Sequence, residues 1–138
     1  MRYYKLLEHT ADLGVTTWGG SVKDLFINSA CAMYDIISDI QFVDPLISFH
    51  VKADGLDKDE LLKNWLSELL YYFHVKNMLL GRFDIEHISD NNIVSLVAGE
   101  NIDSKRHSLK REVKAVTYHN LKITKKGNRF QTNIIFDV

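Results

Sequence analysis

Asp57-Lys58-Asp59-Glu60-Leu61-Leu62-Lys63-Asn64-Trp65-Leu66-Ser67-Glu68-Leu69-Leu70-Tyr71-Tyr72-Phe73 is the stretch that decides the fold class. Asp57 and Glu60 stand three residues apart, the spacing of a side-chain cap at a helix start. Leu61-Leu62, Trp65-Leu66, Leu69-Leu70 and Phe73 then recur at steps of three and four, so they share one face of a helix and demand a core to cover it. Lys63, Asn64 and Glu68 fall off that stripe. An aromatic and leucine stripe at this spacing is packing surface, not a cofactor box.

Working outward, a second helix precedes it. Ser21 with Asp24 reads as its cap, and Val22, Leu25, Phe26, Ser29, Ala30, Met33, Ile36 and Ile37 form its apolar face. Everything else has the period of strands. Tyr3–Glu8 and Leu13–Trp18 are rich in aromatic and β-branched residues and flank the polar turn His9-Thr10-Ala11-Asp12. Ile47, Phe49, Val51 and Ala53 alternate with Ser48, His50 and Lys52, which places His50 on the solvent side. Phe83, Ile85 and Ile88 lead into Asp90-Asn91-Asn92, and Ile93–Gly99 returns, as in a hairpin. A polar loop, Glu100–Arg111, follows. Val113–Thr124 and Arg129–Val138 flank Lys125-Lys126-Gly127-Asn128 and predict a second hairpin. Consecutive strands outnumber the two helices, so the expected fold class is α+β: a mainly antiparallel sheet or sheets with two helices packed on one side.

The chain has 138 residues, 46 % of them hydrophobic, which predicts one domain spanning 1–138. No run of about 18 apolar residues suggests a membrane span. The start, Met1-Arg2-Tyr3-Tyr4-Lys5, lacks the layout of a signal peptide, and the single cysteine, Cys31, fits a reducing compartment, so a cytoplasmic protein is expected. Cys31 lies beside the first helix's apolar face and reads as a buried structural thiol. Net charge is −1, which argues against a chain that binds nucleic acid by overall charge. The distribution is uneven: between Lys105 and Lys126 stand eight basic residues and one acid, Glu112. That stretch is either a local patch for RNA or an acidic partner, or a solvated face whose lysines block edge pairing.

Several chemistries lack their sequence signatures. Gly19-Gly20 is not followed by the spacing of a P-loop or dinucleotide fingerprint, there is no Gly-x-Ser-x-Gly elbow, and there is no His-Glu-x-x-His helix. The six histidines are scattered. The C-terminus carries the more specific signal. The apolar strand Thr132–Phe136 ends in Asp137-Val138, which sets a side-chain carboxylate beside the α-carboxylate of Val138. Two anions held together call for water, a proton or a cation, and hard cations prefer such oxygens. Asp12 by itself reads as a turn aspartate capping backbone, and joins them only if the fold brings the two segments together.

The chain resembles the archease family from end to end. The carriers are Glu8-His9-Thr10-Ala11-Asp12-Leu13-Gly14, the Leu61-Leu62, Trp65-Leu66 and Glu68-Leu69-Leu70 steps, Gly99-Glu100 with Arg106-His107, Glu112-Val113-Lys114-Ala115-Val116-Thr117-Tyr118-His119, and Ile135-Phe136-Asp137-Val138. Asn64 stands where an aspartate is frequent in the family, and Asn120 where glycine or aspartate is frequent. No N-terminal extension of the kind some eukaryotic members carry precedes the motif, so a compact archaeal or bacterial type is expected. The resemblance implies an accessory protein, not an enzyme, acting beside an RtcB-type RNA ligase in tRNA splicing and RNA repair. It would promote guanylylation of the ligase and its multiple turnover. It also implies a metal site at Asp12, Asp137 and Val138, with calcium as the associated ion and magnesium or manganese also compatible with the donors. RNA would be met through the ligase. Lys114, His119 and His9 are the candidate partner contacts. Strict alternation over Lys114–Thr124 would point Lys114 and His119 to opposite faces, which favours Lys114 as the contact. Two other readings are a chaperone-like or RNA-binding modulator of an RNA-modification enzyme, motivated by Lys105–Lys126, and a stand-alone metal-dependent phosphoesterase.

Overall fold

A computed structural model describes residues 3–8 and 12–138, the side chains of Leu7 and Glu8 excepted. The strands form two antiparallel sheets. In the first, β1 (Tyr4–Glu8), β2 (Asp12–Gly19), β8 (Arg129–Asp137) and β6 (Ala115–Val116) lie in that order, and β7 (Thr124–Lys126) also pairs with β8. In the second, β3 (Ile47–Asp54) and β4 (Met78–Ile88) flank β5 (Asn92–Asn101). The α+β class expected from the sequence is the one observed.

The helices begin where the caps place them. Helix α1 (Val22–Ile37) starts with Ser21 Oγ accepting the Asp24 N–H at 3.0 Å. Helix α2 (Lys58–His74) starts with Asp57 Oδ1 accepting the Glu60 N–H at 2.8 Å, while Glu60 Oε1 accepts the Leu56 N–H at 3.2 Å. All six apolar residues expected on the α2 stripe from Leu61 to Leu70 are buried. Helix α1 is buried over more than one face, since Ala32 and Tyr34 join the expected stripe. The cause is its position: α1 packs on both β2 and β4, one strand from each sheet.

Polar groups inside this core are answered. Thr17 and Ser29 share a hydrogen bond of 2.8 Å between β2 and α1, and Tyr34 Oη donates to the Leu69 carbonyl at 2.6 Å, tying α1 to α2. Trp65 Nε1 donates to Ser95 Oγ at 3.0 Å, which in turn donates to the Val51 carbonyl at 2.7 Å. Burial pushes the Cys31 thiol up to about 11, with Asp35 nearby adding to it. Cys31 is half-buried against the core rather than fully buried as expected, and a thiol so raised is a poor nucleophile.

The expected strand Val113–Thr124 is not continuous. It gives only the two residues of β6 and then leaves the sheet. Asn120 adopts φ 56°, Leu121 turns inward and is buried, and the Ile123 N–H is held by Asp59 Oδ1 at 2.9 Å, on the first turn of α2. The chain rejoins β8 as β7, so the second hairpin spans Thr124–Lys126 and Arg129 onward, turned at Gly127 with φ 60°.

Candidate functional site

The turn aspartate of the sequence reading is the first residue of β2. In the β2–β8 register Asp12 lies directly opposite Asp137, and Leu13 opposite Phe136. Directly opposite residues of an antiparallel pair share a face. Leu13 and Phe136 take the inner face and are buried, so Asp12 and Asp137 share the outer one, Asp12 half-buried and Asp137 exposed. On the other flank of β8 Asp137 faces Ala115, and its carbonyl accepts the Lys114 N–H at 2.7 Å. Thr117 adds two bonds to the Ile135 carbonyl, from its N–H at 3.0 Å and its Oγ1 at 2.9 Å. The end of β8 is thus held from both sides through Asp137, and Val138 packs against the core.

Two carboxylates directly across a strand pair repel one another. Among the described residues neither Asp12 nor Asp137 enters an ion pair. Oxygen donors without a cationic partner are the donor set a hard divalent ion takes. No group of three acidic, histidine or cysteine side chains converges among the described residues, so an ion here would complete its shell from main-chain or terminal oxygens and water. The pair fits a hard cation and does not suit a soft one.

Of the candidate partner contacts, Lys114 and His119 are both exposed. The alternation that set them on opposite faces does not apply, because β6 ends at Val116. Lys114 sits one residue from the partner of Asp137, while His119 lies in the turn that leaves the sheet, its N–H 3.4 Å from Thr117 Oγ1. His9 lies outside the described residues.

A second charged cluster lies at the other end of the polar loop. Gly99 is required just before it: a Cβ there would stand 2.0 Å from the Leu79 carbonyl oxygen on the adjacent strand. The next residue, Glu100, is 5 % exposed. Its carboxylate pairs with Arg106 and accepts the Asp44 N–H at 2.6 Å and His107 Nε2 at 3.1 Å. His107 Nδ1 accepts the Asp103 N–H at 2.9 Å, so the hydrogen is on Nε2 and points at Glu100. Burial alone would raise the Glu100 carboxyl, but the Asp44 N–H, Arg106 and His107 outweigh it and hold it down to about 2. Arg106 also reaches Asp44 at 3.4 Å and Asp103 at 3.9 Å. This cluster pins the loop to the second sheet. Its only trace in the sequence was the pair of short motifs Gly99-Glu100 and Arg106-His107.

The basic stretch Lys105–Lys126 is therefore not one patch. Arg106 is consumed by the cluster, Lys125 and Lys126 belong to the β7–β8 hairpin, and Lys122 lies in the segment before it.

The model of the Archease protein family (MTH1598/TM1083) matches residues 4–138. The chain belongs to the archease family. It is 34 % identical to the archease of Sulfurisphaera tokodaii and 32 % identical to that of Pyrococcus furiosus, each alignment covering the whole of both chains. The solution structure of Methanobacterium thermoautotrophicum protein 1598 superimposes with a TM-score of 0.82 at 26 % identity, over the whole of both chains. The archease of Thermotoga maritima, described as a possible chaperone, has the same fold at 20 % identity, with a TM-score of 0.66 over 100 % of this chain and 98 % of that one. This archease has no helix among the described residues that is long and apolar enough to cross a membrane.

Proposed function

We propose that this archease is an accessory protein that holds a hard divalent cation at Asp12, Asp137 and a Val138 carboxylate, and that it supports an RtcB-type RNA ligase by promoting its guanylylation and repeated turnover. The observation that carries the reading is the direct pairing of Asp12 with Asp137, two segments 125 residues apart that the archease resemblance links and local sequence does not. Calcium is the favoured ion because it accepts mixed carboxylate, main-chain and water oxygens in loose geometry. When bound, it would neutralise the paired carboxylates and offer open positions to a phosphate or carboxylate of a partner. Asp12 and Asp137 would hold it, the pairing of β8 with β2 and β6 would orient them, and Lys114 beside them would meet the ligase. A cytoplasmic site of action follows from such a partner. The description of the Thermotoga maritima relative as a possible chaperone agrees with an accessory role, in which a second protein is the target.

The test is a ligation assay with the ligase limiting and guanylylation followed separately. Wild-type protein raises product beyond one turnover per ligase, and Asp12→Asn and Asp137→Asn lose most of that stimulation. Full stimulation by both folded variants contradicts the reading. Phosphoester turnover by the purified protein alone, lost in the same variants, would favour a hydrolase instead.

A further inference from the structure

The outer face of the five-stranded sheet runs beyond the acidic pair. Along β8 it continues through Ile135, Asn133 and Gln131 to Arg129, about 27 Å from Asp137 at the usual strand rise. At that end the register places Trp18 opposite Gln131, Gln131 opposite Thr124, and Arg129 opposite Lys126. Lys5 lies opposite Thr16, which donates to Asn133 Oδ1 at 2.7 Å. The Arg129 guanidinium lies over the half-buried Trp18 ring, 5.3 Å from its centroid. Lys5, Lys126 and Arg129 are exposed, and among the described residues none of them pairs with an acid. Lys126 against Arg129 is a like-charged pair directly across two strands, which costs stability unless an anion lies between them.

We infer that this end of the sheet face is a binding surface for single-stranded nucleic acid. The cations Lys5, Lys126 and Arg129 would meet phosphates. The Trp18–Arg129 stack offers a plane on which an unpaired base can lie, and Gln131, Thr124 and Asn133 supply hydrogen-bonding groups between them. A protein partner with an acidic surface would use the charges but has no need of the ring and guanidinium plane. A duplex would hide its bases from a flat sheet. The inference is independent of the ligase reading: an archease that stimulates a ligase without touching RNA would fail the test below and keep that role.

The experiment is fluorescence anisotropy of the full chain with a labelled 12-nucleotide oligouridylate, without ligase, over a salt series. Binding weakens with salt with a log–log slope of about −2, as three phosphate contacts on a single strand require. Lys126→Glu with Arg129→Glu weakens it at least tenfold, and Trp18→Leu several-fold with little change in slope. Reversing Lys52 and Arg82, exposed on the other sheet, applies the same charge change elsewhere and leaves affinity within about twofold. Circular dichroism checks that each variant is folded; if Trp18→Leu is not, Trp18→Phe replaces it. No binding by the wild type, equal loss in both charge reversals, or equal competition by polyglutamate of matched charge overturns the inference.

Discussion

Glu100 and the Asp12–Asp137 pair are both carboxylate sites beside a sheet end, and they are built in opposite ways. Glu100 is buried and every direction it faces is answered: a guanidinium, an imidazole N–H and a main-chain N–H. Asp12 and Asp137 face each other, with no cationic partner among the described residues. A charge neutralised inside the protein serves the fold. A repelling pair held at the surface by a well-bonded strand end is left without such an answer, and on the proposed reading a cation would supply it.

The largest expected effect separates the two. Glu100→Ala leaves His107 and the Asp44 N–H without their acceptor and costs about 3 kcal/mol in urea unfolding. A loss under about 1 kcal/mol would mean that the cluster does not hold the loop. The same carboxylate sets an acid limb. Its folded value of about 2 lies below the ordinary 4.5, so the folded state binds this proton less readily than the unfolded chain. Its contribution is complete above about pH 4.5 and is lost as pH falls toward 2. Glu100→Gln flattens that limb in a pH series of melting curves. Arg106→Ala has a smaller effect than Glu100→Ala in the same urea series, because the guanidinium is partly exposed and water replaces it. The smallest effect belongs to the acidic pair: without added metal, Asp12→Asn or Asp137→Asn shifts stability by about 0.5 kcal/mol or less, upward if at all, since it removes a repulsion. A loss above about 1.5 kcal/mol in either would make the pair structural and dissolve the contrast.

The two sites also differ in how far they could be read beforehand. Helices, caps and most strands follow from period and capping chemistry, which act over a few residues: Ser21 with Asp24 and Asp57 with Glu60 are local facts. Asp137 beside Val138 reads as a candidate hard-ion fork for the same local reason. The Asp12–Asp137 pairing is a register across the whole length of the chain, and only family resemblance hinted at it. Nothing local showed that Glu100 would meet Asp44, 56 residues away, or that Val113–Thr124 would be broken by Leu121 turning into the core and Asp59 capturing the Ile123 N–H. The alternating pattern runs on in the sequence past Val116 while the strand ends there, so periodicity does not choose between Lys114 and His119.

The most direct test of the metal proposal is calcium-dependent thermal unfolding of the wild type beside Asp12→Asn and Asp137→Asn, in chelated and calcium-containing buffer. Calcium at about a hundred times its Kd is expected to stabilise the wild type by about 2.7 kcal/mol, raising the melting temperature by several degrees, and to leave both variants where they were. An equal rise in all three proteins, or none in the wild type, would contradict the proposal.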